Sequence, residues 1–91
     1  MTLQVKLSAD LKQAMRDQDE NRKVALRLLR AAIVNEEVDK GHPLDDAEIV
    51  AVAGKRAKQH RESIEAFRAG GRQDLVRREE AQLLAVLDYL P

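Results

Sequence analysis

The chain has 91 residues, a length that suits one small domain. Sixteen lysine and arginine residues balance sixteen aspartate and glutamate residues, so there is no global field to attract nucleic acid or a membrane, and any anion site must be a local patch. The lack of cysteine excludes disulfides and thiolate chemistry, no apolar run is long enough to span a bilayer, and the N-terminus alternates apolar and charged residues unlike a signal peptide, so we expect a cytoplasmic protein with no membrane partner.

The first half of the chain predicts two helices. Apolar residues at three- and four-residue spacing indicate a first helix over about residues 2–17, with Thr2 as its N-cap. The segment 20–40 is apolar over most of its circumference, which is typical of a central helix that contacts several neighbours. Gly41 favours a helix end there, and Pro43 prevents the helix from continuing.

The second half predicts two more helices. Asp45 and Glu48 have the spacing of a capping box, which indicates a third helix over about residues 45–69 that ends at the glycine pair 70–71. A fourth helix is expected over about residues 73–89. Because short connections favour antiparallel neighbours, the predicted fold is all-α, a single four-helix up-and-down bundle.

The first candidate site is a basic strip on the third helix and the turn after it. On a helical projection the lysines and arginines fall on the side away from the apolar face, where they would bind phosphates without reading bases. An ordinary solvated face is the alternative, since Lys58 and Glu62, like Arg61 and Glu65, are four residues apart and can form weak ion pairs. The strip consists of Lys55, Lys58, Arg61 and Arg72.

The second candidate site is a set of polar residues at interior positions, with His60 near the middle of the apolar face of its helix. Because unpaired charges in a core are costly, these groups should meet one another. They form either a network that fixes helix register or a pocket with a His60–Glu79 acid/base pair. No nucleophile or metal-ligand spacing accompanies them, so we predict no catalytic residue, metal or cofactor. The set is Asn35, Glu36, Arg56, His60 and Glu79.

Five sequence segments in the same order make the chain resemble the N-terminal half of the GatB/YqeY family, specifically its small YqeY-like proteins. These segments are DLKQAM, LRLLRAAIVNEE, KQHRESIEAF, GRQDL and YLP, and they extend along the whole chain. The resemblance implies an all-helical domain that a smaller helical tail follows; because the sequence stops at Pro91, we expect that tail to be absent or removed. The family usually has arginine or lysine where this chain has His60.

The resemblance also implies a functional context. The tail is shared with the B subunit of the glutamine-dependent amidotransferase that corrects misacylated tRNA, a carbon–nitrogen ligase with glutamine as amido donor. In that enzyme the helical parts help hold tRNA and do not carry out the chemistry. The leading hypothesis is therefore an accessory tRNA-binding module that is not a catalyst by itself.

The rival hypothesis is a domain for protein–protein interaction or self-association. On helical projections Leu84 and Tyr89 point away from the main stripe of the fourth helix, and Leu26 and Ile33 lie on a second face of the second helix. Extra apolar surface of this kind often marks a partner site. The partner would be the missing tail or a second copy of the chain.

Overall fold

A computed structural model describes residues 2–91, and within them it contains four helices and no strand. The helices are α1 (Leu3–Arg16), α2 (Glu20–Lys40), α3 (Asp46–Ala69) and α4 (Gln73–Leu87). The all-α prediction is confirmed, and each helix lies within a few residues of its predicted bounds. In the described part of the chain no helix is both long and apolar enough to cross a membrane.

The predicted capping residues determine where the helices begin and end. The Thr2 hydroxyl accepts a hydrogen bond from the Val5 amide at 3.2 Å, which satisfies one of the unpaired N–H groups of the first turn. Asp45 and Glu48 form the reciprocal capping box at the start of α3, with distances of 2.8 and 3.1 Å. Gly41 ends α2 in the left-handed region at φ +76°, a conformation that favours glycine.

Helix α2 contacts each of the other three helices, as expected of a central element, and α3 does so too. Its inner side carries Ala25, Leu26, Leu29 and Ile33, all at most 1% exposed. Leu26 and Ile33 therefore belong to the core, and the prediction that they form a second face for a partner is wrong. The reason is that Leu26 and Ile33 lie within roughly 100° of Ala25 and Leu29 around α2, on the one face that packs against the other helices.

The end of the chain folds back onto α1. Helix α4 stops two residues earlier than predicted, and the amides of Tyr89 and Leu90 bond three residues back, to the carbonyls of Val86 and Leu87. This tighter turn directs Tyr89 inward, where it is 2% exposed. The prediction that Tyr89 points away from the core is therefore wrong, whereas Leu84 is 67% exposed, as expected.

A polar contact accompanies the burial of Tyr89. Its hydroxyl donates a hydrogen bond of 2.6 Å to the Asp10 carboxylate, and the Lys6 ammonium lies 4.6 Å from the centre of its ring. Burial raises the pKa of Asp10, but the hydrogen bonds from Lys6 and Tyr89 outweigh it and hold that pKa below its usual 3.8. Burial and the Asp10 carboxylate together raise the pKa of Tyr89. The contact joins residues that are 79 positions apart in the sequence.

We predict that Tyr89→Phe lowers the free energy of unfolding by about 1.5–3 kcal/mol, because it removes a charge-assisted hydrogen bond and keeps the buried ring. Urea denaturation measures the change. Asp88→Asn is the matched control, since it removes the half-exposed carboxylate that pairs with Arg22 at 3.2 Å, and such pairs contribute less than about 1 kcal/mol. A Tyr89→Phe effect no larger than that of Asp88→Asn would contradict the role given to the hydroxyl.

Candidate functional site

A groove opens where α2, α3 and α4 meet. Its volume is about 400 Å³, within the range of small-ligand sites. Apolar side chains of α2 form one wall, and polar side chains of α3 and α4 form the others. The lining residues are Glu20, Asn21, Val24, Leu28, Arg56, His60, Arg78, Glu79 and Gln82.

His60 lies at the base of this groove and connects α3 to α4. It is 2% exposed; its Nδ1 is 3.3 Å from Oε1 of Glu79, and its Nε2 is 3.4 Å from a terminal nitrogen of the Arg56 guanidinium. Arginine can only donate hydrogen bonds, so Nε2 must act as the acceptor. The remaining ring proton is then on Nδ1 and is donated to the Glu79 carboxylate. This arrangement selects one tautomer of a neutral histidine.

The environment of His60 also favours the neutral ring, because its net effect is to lower the pKa. Burial lowers the pKa most, the hydrogen bond with Glu79 raises it, and the positive charge of Arg56 lowers it further, so that the net pKa is below the usual 6.5. The lone pair that a general base would use is already occupied by Arg56. The geometry of these three residues is therefore that of an internal network, and an acid/base role would require Arg56 to move away.

Asn35 and Glu36, which were predicted to be interior, do not contact the network of Arg56, His60 and Glu79. Asn35 is exposed, and the prediction that it lies toward the interior is wrong. It follows the buried Ile33 by two residues, which places it roughly 200° away around the helix. Glu36 is half-buried and lines a separate groove, together with Lys40 of the same helix and Glu48 of α3.

Gln82 was not predicted from the sequence; it is 5% exposed and completes the polar side of the groove. Its amide nitrogen is 3.5 Å from the Asn21 side-chain oxygen, a contact between α4 and α2. Gln82 follows Glu79 by three residues, so both interrupt the same apolar stripe of α4. That spacing was a signal that Gln82 shares the environment of Glu79.

Arg78 is the second lining residue that sequence reasoning did not select. Its Nε lies 3.6 Å from the second carboxylate oxygen of Glu79, and its guanidinium lies 5.8 Å from the centre of the Phe67 ring. Glu79 thus has a histidine on one oxygen and an arginine near the other. The buried carboxylate is compensated by a hydrogen bond from His60 on α3 and by the positive charge of Arg78 on α4.

Three residues of the predicted basic strip form an exposed row, which we call the basic flank: Lys55, Lys58 and Arg61. In residues 2–91 none of them has a carboxylate oxygen within 4.0 Å. The possible pairs with Glu62 and Glu65 do not form, and Glu65 pairs instead with Arg68, three residues away. No ion pair within that distance therefore compensates the flank.

Arg72, the fourth member of the strip, differs from the basic flank. It is exposed, but its guanidinium donates two hydrogen bonds to the Asp74 carboxylate, at 3.2 and 3.0 Å. This pairing raises the pKa of Arg72 and lowers that of Asp74, each because the charged form of the other residue is close. The adjacent negative charge compensates Arg72, so it adds little to the field of the flank.

We predict that the free energy of unfolding decreases as the pH is lowered below about 6.5, and that His60 causes this decrease. The unfolded chain takes up a proton near the usual histidine pKa of 6.5, while folded His60, with its lowered pKa, stays neutral. Its stabilising contribution is complete above pH 6.5 and is lost as pH falls through the folded-state pKa, with a limiting slope of about 1.4 kcal/mol per pH unit.

His60→Gln tests this assignment because an amide can accept from Arg56 and donate to Glu79 but does not titrate. Urea denaturation at a series of pH values should show that the variant loses the slope between pH 6.5 and the folded-state pKa. His42→Gln, which removes the exposed histidine, is the control and should keep the slope. If the slope persists in His60→Gln, or proton NMR places the His60 pKa at or above 6.5, the assignment is wrong.

Comparison with known proteins identifies the family of this chain. A family model described as Yqey-like protein matches residues 4–91. Three proteins named "Altered inheritance of mitochondria protein 41, mitochondrial" are similar to the chain over 85 residues: those of Eremothecium gossypii (38% identical), Lachancea thermotolerans (39%) and Saccharomyces cerevisiae (35%). Each match covers 92% of this chain and 46% of the relative, so the chain spans about half the length of the curated relatives it matches. Because the family model extends over nearly the whole bundle, the chain belongs to the YqeY-like protein family.

Proposed function

We propose that this YqeY-like chain is a tRNA-binding accessory module that does not itself carry out catalysis. The observation that carries the proposal is the basic flank, where Lys55, Lys58 and Arg61 lie exposed and unneutralised on one helix. Arg61 lies six positions after Lys55 on the helix, so the row is roughly 9 Å long. Cations held in such a row replace the counterions of neighbouring phosphates, and release of those counterions favours binding.

The position of the aromatic residues favours binding to the backbone over reading of bases. The single tyrosine is buried at 2% exposure, and the single phenylalanine is half-buried beneath Arg78. Neither ring offers an open platform on which a base can stack. The proposed complex is therefore electrostatic, dependent on salt and tolerant of RNA sequence.

The polar network supports a role without catalysis. His60 is neutral, its accepting nitrogen is occupied by Arg56, and its proton is held by Glu79. These contacts stabilise the junction of α4 with α3, the helix that carries the basic flank. We propose that the network holds α3 in the register that presents the flank.

The reaction context of the proposal comes from the resemblance to the amidotransferase B subunit. In this view glutamine-dependent carbon–nitrogen ligation belongs to a partner enzyme, and the bundle contributes affinity for tRNA. The sequence led us to expect a cytoplasmic protein, whereas the names of the relatives refer to mitochondria. We propose an aqueous compartment that contains tRNA, which either location provides.

A domain for protein interaction is the second candidate function. Of the residues first proposed for it, Leu26, Ile33 and Tyr89 are buried and only Leu84 is exposed. A different observation now favours it, because α2 exposes Val34 and Val38 at 48% and 75% on its solvent side. This surface is separate from the basic flank on α3 and is compatible with binding of tRNA.

We predict that the chain binds unfractionated tRNA at low salt with a log K against log salt slope of about −2 to −3, as expected for three phosphate contacts. Fluorescence titration at several salt concentrations measures the slope. Lys58→Glu with Arg61→Glu should weaken binding at low salt at least about tenfold, because two attractive charges become repulsive.

The matched control is Lys12→Glu with Arg16→Glu, which makes the same change in net charge on exposed residues of α1. Only a small, general loss of affinity is expected from it. Absence of binding at low salt, or equal losses for the two double variants, would contradict the proposed interface. Arg72→Glu should weaken binding less than Lys58→Glu, since Asp74 already compensates Arg72.

A further inference from the structure

The groove between α2, α3 and α4 has one charged lining residue, Arg56, that is not paired with an opposite charge. Of the other charged lining residues, Arg78 lies 3.6 Å from Glu79. Glu20 forms an ion pair of 2.8 Å with Lys23. Arg56 has no carboxylate oxygen within 4.0 Å among the described residues. The groove therefore has an excess positive charge, and that charge is at Arg56.

The Arg56 guanidinium also has hydrogen-bond donors that are not used, since a guanidinium carries five N–H groups. Its Nη1 donates to the side-chain oxygen of Gln59 at 2.6 Å, and its Nη2 is 3.4 Å from Nε2 of His60. Both of these acceptors are neutral, and the buried Nε–H has no partner within residues 2–91. Because a buried donor without an acceptor and a half-buried cation without an anion are both costly, this side chain favours a negatively charged ligand.

The wall that α2 contributes to the groove includes two aliphatic side chains. Val24 is half-buried and Leu28 is 40% exposed, and both line the groove. The groove volume of about 400 Å³ is sufficient for a molecule of several carbon atoms. The groove thus combines one guanidinium with aliphatic surface, which suits a ligand that has an anionic end and an apolar body.

We propose that this groove binds a small aliphatic carboxylate, whose oxygens accept hydrogen bonds from the terminal nitrogens of Arg56 and whose hydrocarbon part lies against Val24 and Leu28. Arginine pairs with carboxylates through two parallel N–H groups, a geometry that a point charge does not offer. The aliphatic wall selects such a ligand over inorganic phosphate, because phosphate has no hydrocarbon part to remove from water. Arg56 is not part of the basic flank, so this site is independent of the proposed tRNA interface.

We predict that butyrate binds the 91-residue chain with a dissociation constant of about 1–10 mM, the affinity that its few non-hydrogen atoms permit. NMR titration of nitrogen-15-labelled protein at neutral pH should show the Arg56 Nε–H signal and the amides of Val24 and Leu28 shift together to saturation. Hexanoate should bind at least about threefold more tightly, because each buried methylene raises affinity by up to about fourfold. Butyramide has the same carbon chain without the charge, and it should leave these signals unchanged.

Arg56→Met should weaken butyrate binding at least about tenfold, since it keeps an unbranched side chain and removes the charge and the donors. Arg77→Met is the matched control, because Arg77 is exposed on α4 and does not line the groove, and it should change the affinity less than about twofold. Circular dichroism checks that each variant is folded. Leu28→Glu is a second test that leaves the Arg56 network intact, because the half-exposed position tolerates a charge. A carboxylate inside the groove should also weaken butyrate binding at least about tenfold.

Four outcomes would overturn the proposal. The first is that the groove signals do not shift at butyrate concentrations well above the expected dissociation constant. The second is that butyramide binds as tightly as butyrate, which would exclude a role for the charge of Arg56. The third is that inorganic phosphate binds more tightly than hexanoate, and the fourth is an equal loss of affinity in Arg56→Met and Arg77→Met. Because the tRNA titration uses Lys58 and Arg61 instead, failure of either proposal leaves the other standing.

Discussion

The structure depends on the burial of α2 by three other helices. The side chains of Ala25, Leu26, Leu29 and Ile33 are almost completely removed from water, and α1, α3 and α4 each contact this helix. A chain of 91 residues buries a smaller fraction of its surface than a larger protein does, so one shared central helix is an efficient way to build a core. The opposite side of the same helix remains outside, which explains why α2 has both the most buried and some of the most exposed apolar residues.

Two polar contacts complete this apolar core at different places. At one, Tyr89 reaches Asp10 and connects the end of the chain to α1. At the other, His60 connects α3 to Glu79 of α4. Each contact is a hydrogen bond between side chains of different parts of the chain. A buried donor or acceptor that loses its partner is costly. Such contacts select one packing of the helices among the several that a purely apolar core would allow.

Different helices carry the charged and the apolar surfaces that face solvent. In the described residues the basic flank on α3 has no carboxylate oxygen within 4.0 Å, and α2 exposes the apolar side chains of Val34 and Val38. Because the relatives are about twice as long as this chain, additional sequence in them could extend either surface.

The sequence by itself determined the helices and their ends, because periodicity, Thr2, the Asp45–Glu48 capping box and Gly41 act through neighbours a few residues away. It also indicated that His60 and Glu79 are interior, since each lies on the apolar side of its own helix. It did not determine which way Asn35, Leu26 and Tyr89 point, because that depends on which face of α2 the other helices cover and on how the chain turns after α4. Only the tertiary structure decided these, since packing between helices joins residues far apart in sequence and a helical projection has no information about its neighbours.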